Sequence, residues 1–289
     1  MFKFKHPVRI VAIVAIVAVI SACASTATRH DSAFQSAYAG HNRDIATDVA
    51  SCKNHLQAIP SNIVAGLDGT DFGVLNWNIK KGELTNWRND INELAQGKDF
   101  VVLQEAVLHP DFIQAVEGLD HWSFSPGYQA ASGLTGVLTL SRVAPLAQCN
   151  LQTNEPWLGT PKATSITAYG LTGSDETLVI VNIHGVNFTL GVTEFELQIA
   201  QVRQILQHHK GPIILSGDFN TWRLRRIEIL NTLARDLSLN PLRFKKDHRK
   251  EVFGFHLDHV YVRDLMVKDT DTRIVKSSDH NPITARFGL

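Results

Sequence analysis

Six short apolar runs rich in β-branched residues punctuate this chain, at residues 72–75, 101–103, 137–140, 178–183, 213–215 and 260–262. Runs this brief, bounded by polar or turn residues, read as buried strands. Several end directly in a polar signature: Trp77-Asn78-Ile79, Gln104-Glu105, Asn182-Ile183-His184 with Asn187, and Gly217-Asp218-Phe219-Asn220, with Ser278-Asp279-His280-Asn281-Pro282 further on. Taken singly, such residues are turn formers or caps. Taken together, they can gather at one rim of a sheet, because each follows a buried strand. The set contains hard oxygen ligands for a divalent cation, donors for phosphoryl oxygens and a base for water, which is what phosphoester hydrolysis requires.

Between the strands, Phe195, Ile199, Val202 and Leu206 recur at near-helical spacing and stop before Gly211-Pro212, and Trp87, Ile91 and Leu94 repeat the pattern. These are amphipathic helices, so the chain has α/β layering. The pattern alone also accommodates a doubly wound parallel sheet.

The amino terminus reads as an export signal over residues 1–22: Lys3, Lys5 and Arg9 precede an apolar run at 10–20 that is too short to span a bilayer. Ile20-Ser21-Ala22-Cys23 resembles a bacterial lipobox, in which Cys23 would carry the lipid; the alternative is a cleaved signal with an incidental cysteine. Ala24 at the second mature position favours the outer membrane. The expected location is therefore the periplasmic face of that membrane, or the periplasm as a soluble protein. Residues 23–71 read as a tether and adaptor, and 72–289 as a single domain. Setting Cys23 aside leaves Cys52 and Cys149, whose pairing would pin the adaptor to the domain in an oxidising compartment; two unpaired buried thiols are the alternative.

The formal charge is zero, from 28 basic and 28 acidic residues, which does not advertise the basic excess of a nucleic-acid grip. Charge is clustered at Arg223, Arg225 and Arg226, and again at Arg243, Lys245, Lys246, Arg249 and Lys250. Such runs are ordinarily solvated faces of a helix and loop; otherwise they meet an anionic substrate or lipid surface. The sequence indicates no protein partner.

The order of these signatures resembles the endonuclease/exonuclease/phosphatase superfamily, the DNase I-like fold, over residues 72–288. Trp77-Asn78-Ile79 with Lys81, the run from Asn182 to Gly191, and Gly217-Asp218-Phe219-Asn220-Thr221-Trp222 are similar to its YafD-like branch. The resemblance implies a four-layer α/β sandwich, two central β-sheets flanked by α-helices, in place of a doubly wound sheet. It implies that Glu105 ligates a metal, with Asn78 and Asp279 beside it, and that Mg²⁺ or Mn²⁺ is the ion, since oxygen-only ligation argues against zinc, which would want His or Cys. It implies that Asp218 and Asn220 activate and position water. Asp258 would hold His280 against the scissile phosphate, while His184 and Asn187 donate to the phosphoryl oxygens. Lys81, Lys162 and Arg142 are further candidates for fixing a phosphate, and the remaining histidines are expected at the surface. Trp77 and Trp222 are expected to pack beneath the rim, with base stacking as the other option. The substrate is a phosphoester, nucleic acid or phospholipid, because one scaffold serves many substrates. A binding lipoprotein that kept the fold without catalysis, and a cytoplasmic nuclease, are the competing readings.

Overall fold

The computed structural model describes residues 44–60, 66–156 and 158–289. The expected signal segment and Cys23 lie outside them. Ile45–Leu289 forms one compact unit. Its elements are α1 (Val49–Gln57), β1 (Phe72–Asn78), α2 (Trp87–Leu94), β2 (Phe100–Val107), α3 (Pro110–Ile113), β3 (His121–Ala130), β4 (Gly133–Ser141), β5 (Ala147–Asn154), β6 (Pro161–Gly170) and β7 (Thr177–His184). They continue with α4 (Thr193–Leu206), β8 (Ile213–Asp218), α5 (Leu224–Asp236), β9 (Asn240–Pro241), β10 (Glu251–Val252), β11 (Phe255–His256), β12 (Asp258–Arg263), β13 (Met266–Thr272) and β14 (Ile283–Gly288).

Two six-stranded sheets form the centre, in the orders β13-β14-β1-β2-β4-β3 and β5-β6-β7-β8-β12-β9. Each has one parallel pair, β1/β2 in the first and β7/β8 in the second, and antiparallel neighbours elsewhere. A parallel pair needs a crossover, which α2 supplies in one sheet and α4 in the other. The six expected strands and two expected helices are all present, and the arrangement is the four-layer sandwich, not a doubly wound sheet.

The faces of the sheets that meet are graded along the strand direction. Side chains on one face repeat every second residue. On that face β1 carries Phe72, Val74, Asn76 and Asn78; β2 carries Phe100, Val102 and Gln104; β7 carries Leu178, Ile180, Asn182 and His184; β8 carries Ile214, Ser216 and Asp218. The apolar members form one core with Tyr169, Val260 and Phe287, in which Phe100 sits edge-on to Tyr169 with ring centroids 4.8 Å apart. Above it lies a layer of buried amides. Gln104 Nε2 donates to Asn76 Oδ1 (3.0 Å) and Asn182 Oδ1 (2.8 Å). Asn182 Nδ2 donates across the sandwich to Leu103 O and Leu138 O (3.1 Å each) and to Thr139 Oγ1 (3.3 Å). The third tier is the candidate site.

A second core lies outside the second sheet, where Phe195, Ile199, Val202 and Leu206 of α4 and Leu230 and Leu233 of α5 cover Val179, Val181, Ile213 and Leu215. The domain begins earlier than residue 72, because Ala46 and Cys52 belong to this core. Ala46 N donates to Gln148 O (3.1 Å), Asn150 N donates to Ala46 O (2.8 Å), and Leu67 exchanges bonds with Gly170 and Thr172. Cys52 and Cys149 are buried there as free thiols. The Cys149 thiol is pushed up by its contact with the Cys52 sulfur and by burial. Edge strands β5 and β13, the Pro-containing β3, and α1 and α5 lack a clean apolar period and were not foreseen. Arg226, expected on a solvated face, is fully buried.

The amide layer yields a prediction. Asn182→Ala removes one of the two bonds of Gln104 Nε2 and the bonds to Leu103 O, Leu138 O and Thr139 Oγ1, so stability measured by urea unfolding should fall by about 2–4 kcal/mol.

Candidate active site

The tops of the two parallel pairs converge. Asn78 ends β1, His184 ends β7, and Asp218 ends β8 in register with both His184 and Asp258. Glu105 would point away from this face if β2 alternated regularly. Instead the β2/β4 register shifts between Leu103 and Ala106, and Glu105 takes a positive φ of 53°. A bulge re-aims a side chain, which lets Gln104 serve the amide layer while its neighbour Glu105 reaches the site. Gly217 is required at its position on β8: its φ is 151°, and a Cβ there would fall 2.0 Å from Ile183 O.

Asp218 lies at the centre. Its Oδ2 accepts from Asn78 Nδ2 (3.0 Å) and its Oδ1 from the backbone N of Asn220 (2.9 Å), while His184 Nε2 and His280 Nε2 stand 3.7 and 3.9 Å from Oδ2. Asn220 itself, at φ 52°, turns its amide onto Gly185 O (3.0 Å). His280 Nδ1 donates to Asp258 Oδ2 at 2.8 Å. Trp77 Nε1 donates to His280 O (3.0 Å) and Ser278 Oγ to Asn78 O (2.7 Å), so the segment bearing His280 is bolted to β1. Trp77 thus packs beneath the rim.

The charges divide the groups by role. Burial opposes a charge on His280, but Asp258 and Asp218 outweigh it and raise its pKa to about 10. It is a standing imidazolium. His184 goes the other way, to about 4, through burial and the nearby Lys162 ammonium. Lys162 Nζ stands 3.1 Å from His184 Nε2, which fits donation to a neutral ring. Burial raises Asp218, with His280 pulling against it and Asp258 adding to it, which makes it a stronger base than a surface carboxylate. Burial likewise opposes ionisation of Glu105, yet His184 and Lys81 hold it down to about 2. Lys81 Nζ meets Glu105 Oε2 at 3.0 Å, and Glu105 Oε1 stands 3.8 Å from His184.

The donor set suits a hard divalent cation. The carboxylates of Glu105 and Asp218 and the carboxamide of Asn78 offer oxygen, whereas both site imidazoles are already engaged, His280 with Asp258 and His184 with Lys162. Asp218, Asp258 and His280 do gather their ligand atoms within 4.8 Å. A protonated His280 is a poor ligand, however, so Glu105 is the better place for the ion. Asp279 is not brought into this cluster: half exposed, it faces Lys80 at 4.0 Å.

Asn187 sits at the site's edge in a loop held from two sides. Glu155 Oε1, fully buried, accepts from the backbone N of Asn187 (2.6 Å) and Phe188 (3.2 Å), and Lys162 stands 4.0 Å away. Arg226 donates to Val186 O, Asn220 O (3.2 Å), Asn187 O (3.0 Å) and Thr189 Oγ1 (3.2 Å). Trp222 Nε1 donates to Asn187 Oδ1 (2.8 Å), and the Arg223 and Arg226 guanidinium groups stand over the half-buried Trp222 ring at 4.9 and 5.1 Å from its centre, so the ring is engaged within the fold. Nothing in the local pattern marks Glu155, a carboxylate in a loop after β5. Tyr128 was also missed: its ring lies over Lys162 Nζ at 5.8 Å, and burial together with the Glu105 charge raises its hydroxyl. Arg142 is no part of the site. It binds Asp99 (2.8 Å) and Lys98 O (3.2 Å), at the start of β2 and so at the opposite end from Glu105.

The model of the endonuclease/exonuclease/phosphatase family matches residues 75–280. UPF0294 proteins of Erwinia tasmaniensis and Vibrio cholerae are 34% and 36% identical, covering 81% and 80% of this chain and 88% and 82% of theirs. Among solved structures, the human nocturnin catalytic domain with bound sulfate superposes with a TM-score of 0.59 at 18% identity, over 78% of this chain and 95% of that one. A mannosyl-6-phosphatase of Bacteroides thetaiotaomicron gives 0.56 at 15%, over 75% and 100%. Fold and site together define a hydrolase of the phosphoester type, and the chain belongs to the endonuclease/exonuclease/phosphatase family.

His259, expected at the surface, is buried beside the site, and its titration gives a prediction. Its Nε2 bonds Thr221 Oγ1 (2.7 Å) and His256 O (3.1 Å), and its Nδ1 faces Arg249 (3.5 Å). Burial and that guanidinium depress its pKa from 6.5 to about 3. A base depressed by folding contributes stability that is complete above its unfolded pKa and is lost as pH falls from 6.5 towards 3. Chemical denaturation across pH 3–8 should show that acid limb, and it should be shallower in His259→Gln.

Proposed function

We propose that this protein is a divalent-metal-dependent phosphodiesterase, of the UPF0294 or YafD-like branch, in which water attacks a phosphodiester in line. The observation that carries the reading is the pairing of Asp218, a buried carboxylate with raised basicity, with His280, an imidazolium fixed by Asp258, 3.9 Å apart. Asp218 takes the proton of the attacking water while the P–O bond opposite it breaks and the leaving oxygen, protonated from solvent, departs as an alcohol; Asn220 and Asn78 keep the Asp218 oxygens aimed. His280, Lys162 and the loop at Asn187 meet the phosphoryl oxygens as negative charge builds on them. Bound at Glu105 and Asn78, Mg²⁺ or Mn²⁺ would supply Lewis-acid stabilisation of that charge. Lys81, which neutralises Glu105 here, would turn to the substrate phosphate.

The same reading keeps the lipid-anchored location at the periplasmic face of the outer membrane, through an export signal and Cys23. In that compartment Cys52 and Cys149, buried side by side, would join as a disulfide. A thiol titration of the unreduced, denatured periplasmic protein should then find neither cysteine free, and two reactive thiols would remove the bridge.

Catalysis is tested with residues 24–289 and Mg²⁺ or Mn²⁺ against DNA, RNA, phospholipids, sphingomyelin and a chromogenic phosphodiester. Hydrolysis should disappear with chelator and fall at least ~100-fold in Glu105→Gln and His280→Gln. Full activity in both variants would refute the assignment. Failure to bind a divalent ion by calorimetry would favour a non-catalytic lipoprotein.

A further inference from the structure

Large apolar side chains are exposed around the active-site mouth. Leu158 (57% exposed), Phe188 (54%), Leu190 (79%), Leu224 (60%) and Phe253 (83%) stand on four segments that the hydrogen bonds link into one rim. Glu155 ties its own loop to Phe188: Gly159 N donates to Glu155 O (2.8 Å), and Glu155 Oε1 accepts from Phe188 N. Arg223 ties Leu190 to the start of α5, where Leu224 is the first residue, by donating to Leu190 O (3.1 Å). Thr221 ties that segment to the β10–β11 hairpin by donating to His256 O (2.6 Å).

Burial within the fold does not explain Phe253. Phe253 and Gly254 form the two-residue turn of the hairpin with φ of 53° and 79°. Such a turn favours Asn-Gly, and a bulky residue at positive φ is strained. An aromatic that is both strained and exposed gains nothing within the fold, so its partner lies outside it.

We propose that this rim docks on a phospholipid bilayer and presents the site to phosphoesters at the membrane surface. Three observations choose a bilayer over other occupants. The side chains stand on separate segments, four of them in loops and turns and Leu224 on the first turn of α5, an arrangement suited to a deformable apolar phase. Nucleic acid would want a basic excess, but basic and acidic residues are equal in number and the net charge is zero. Finally, about twenty residues separate Cys23 from the compact unit at Ile45, a reach of at most ~80 Å when extended. A lipid on Cys23 would hold the chain at a membrane. The docking surface is independent of turnover; the choice of a bilayer draws on the lipid anchor proposed above, and the substrate class rests on the phosphoesterase reading.

The test uses residues 24–289, which hold the whole compact unit and lack Cys23. Sedimentation with vesicles of phosphatidylethanolamine and phosphatidylglycerol (3:1) compares this chain with a Leu158→Ser, Leu190→Ser, Phe253→Ser triple variant. The expected result is binding that persists in high salt and is at least ten-fold weaker in the variant, whose thermal unfolding is unchanged. In the otherwise intact chain, Leu190→Trp should blue-shift its emission on vesicles and stay unshifted with a single-stranded oligonucleotide. No vesicle binding, equal binding by the variant, binding abolished by salt, or a blue shift with the oligonucleotide alone would each overturn the proposal. Vesicle binding without hydrolysis of any phosphoester would leave the docking surface standing and remove the catalytic reading.

Discussion

The buried amide layer formed by Asn76, Gln104 and Asn182 is the constraint on which the upper half of this molecule depends. An unpaired buried amide is unfavourable by several kcal/mol, and Asn182, whose oxygen and nitrogen are both bonded while Asn76 Nδ2 and Gln104 Oε1 have no partner among the described residues, is the side chain that tolerates only a few relative positions of the two sheets. Asn182 is bonded to Gln104 and to both backbone and side chain of the facing sheet. It therefore fixes the height and spacing at which β1 and β2 meet β7 and β8. An apolar layer in its place would permit sliding, because hydrophobic contact is non-directional. One residue-pair further along the same strands stand Asn78, His184 and Asp218. Their separations are inherited from the amides beneath them.

That placement makes the electrostatics workable. Glu105, Asp218 and Asp258 would repel one another strongly if each were ionised and unpaired in a buried site. The chain answers each carboxylate locally: Lys81 stands on Glu105, His280 on Asp258, and Asn78 with the Asn220 backbone on Asp218. Asp218 alone receives no full positive charge at bonding distance. It is left with raised proton affinity, beside an imidazole that stays charged because a different carboxylate holds its far nitrogen. The acid and base assignments thus follow from which of the three carboxylates owns a cation.

Much of this was legible in the sequence where period and punctuation agree. The six apolar runs became strands, and Asn78, Glu105, His184, Asp218 and Asn220 converge because each stands near the carboxyl end of a strand that the pattern already located; Asp258 joins them from the start of the antiparallel β12, and His280 from the segment before β14, which only its motif marked. Legibility failed where a residue's role depends on a partner distant along the chain. Glu155 is a loop carboxylate until Asn187, Phe188 and Lys162 are seen around it. Arg226 belongs to a run of arginines that reads as solvated, yet its guanidinium is consumed by four acceptors from other segments. Arg142 errs in the opposite sense, since it directly follows a buried strand, but at the wrong end of the sheet. Strand direction, which decides that, is not written in a run of apolar residues.

Arg226 and Glu155 also connect the chemistry to the rim. Both bind backbone atoms of residues 186–189, the stretch between His184 at the centre and Phe188 and Leu190 at the periphery. A loop that must expose two large apolar residues to water would otherwise fold back over the nearest apolar surface and carry Asn187 with it. Charged hydrogen bonds from below resist that collapse, since breaking them would strand a buried guanidinium and a buried carboxylate. Burying these two charges therefore lets one short loop present a polar contact inward and apolar side chains outward.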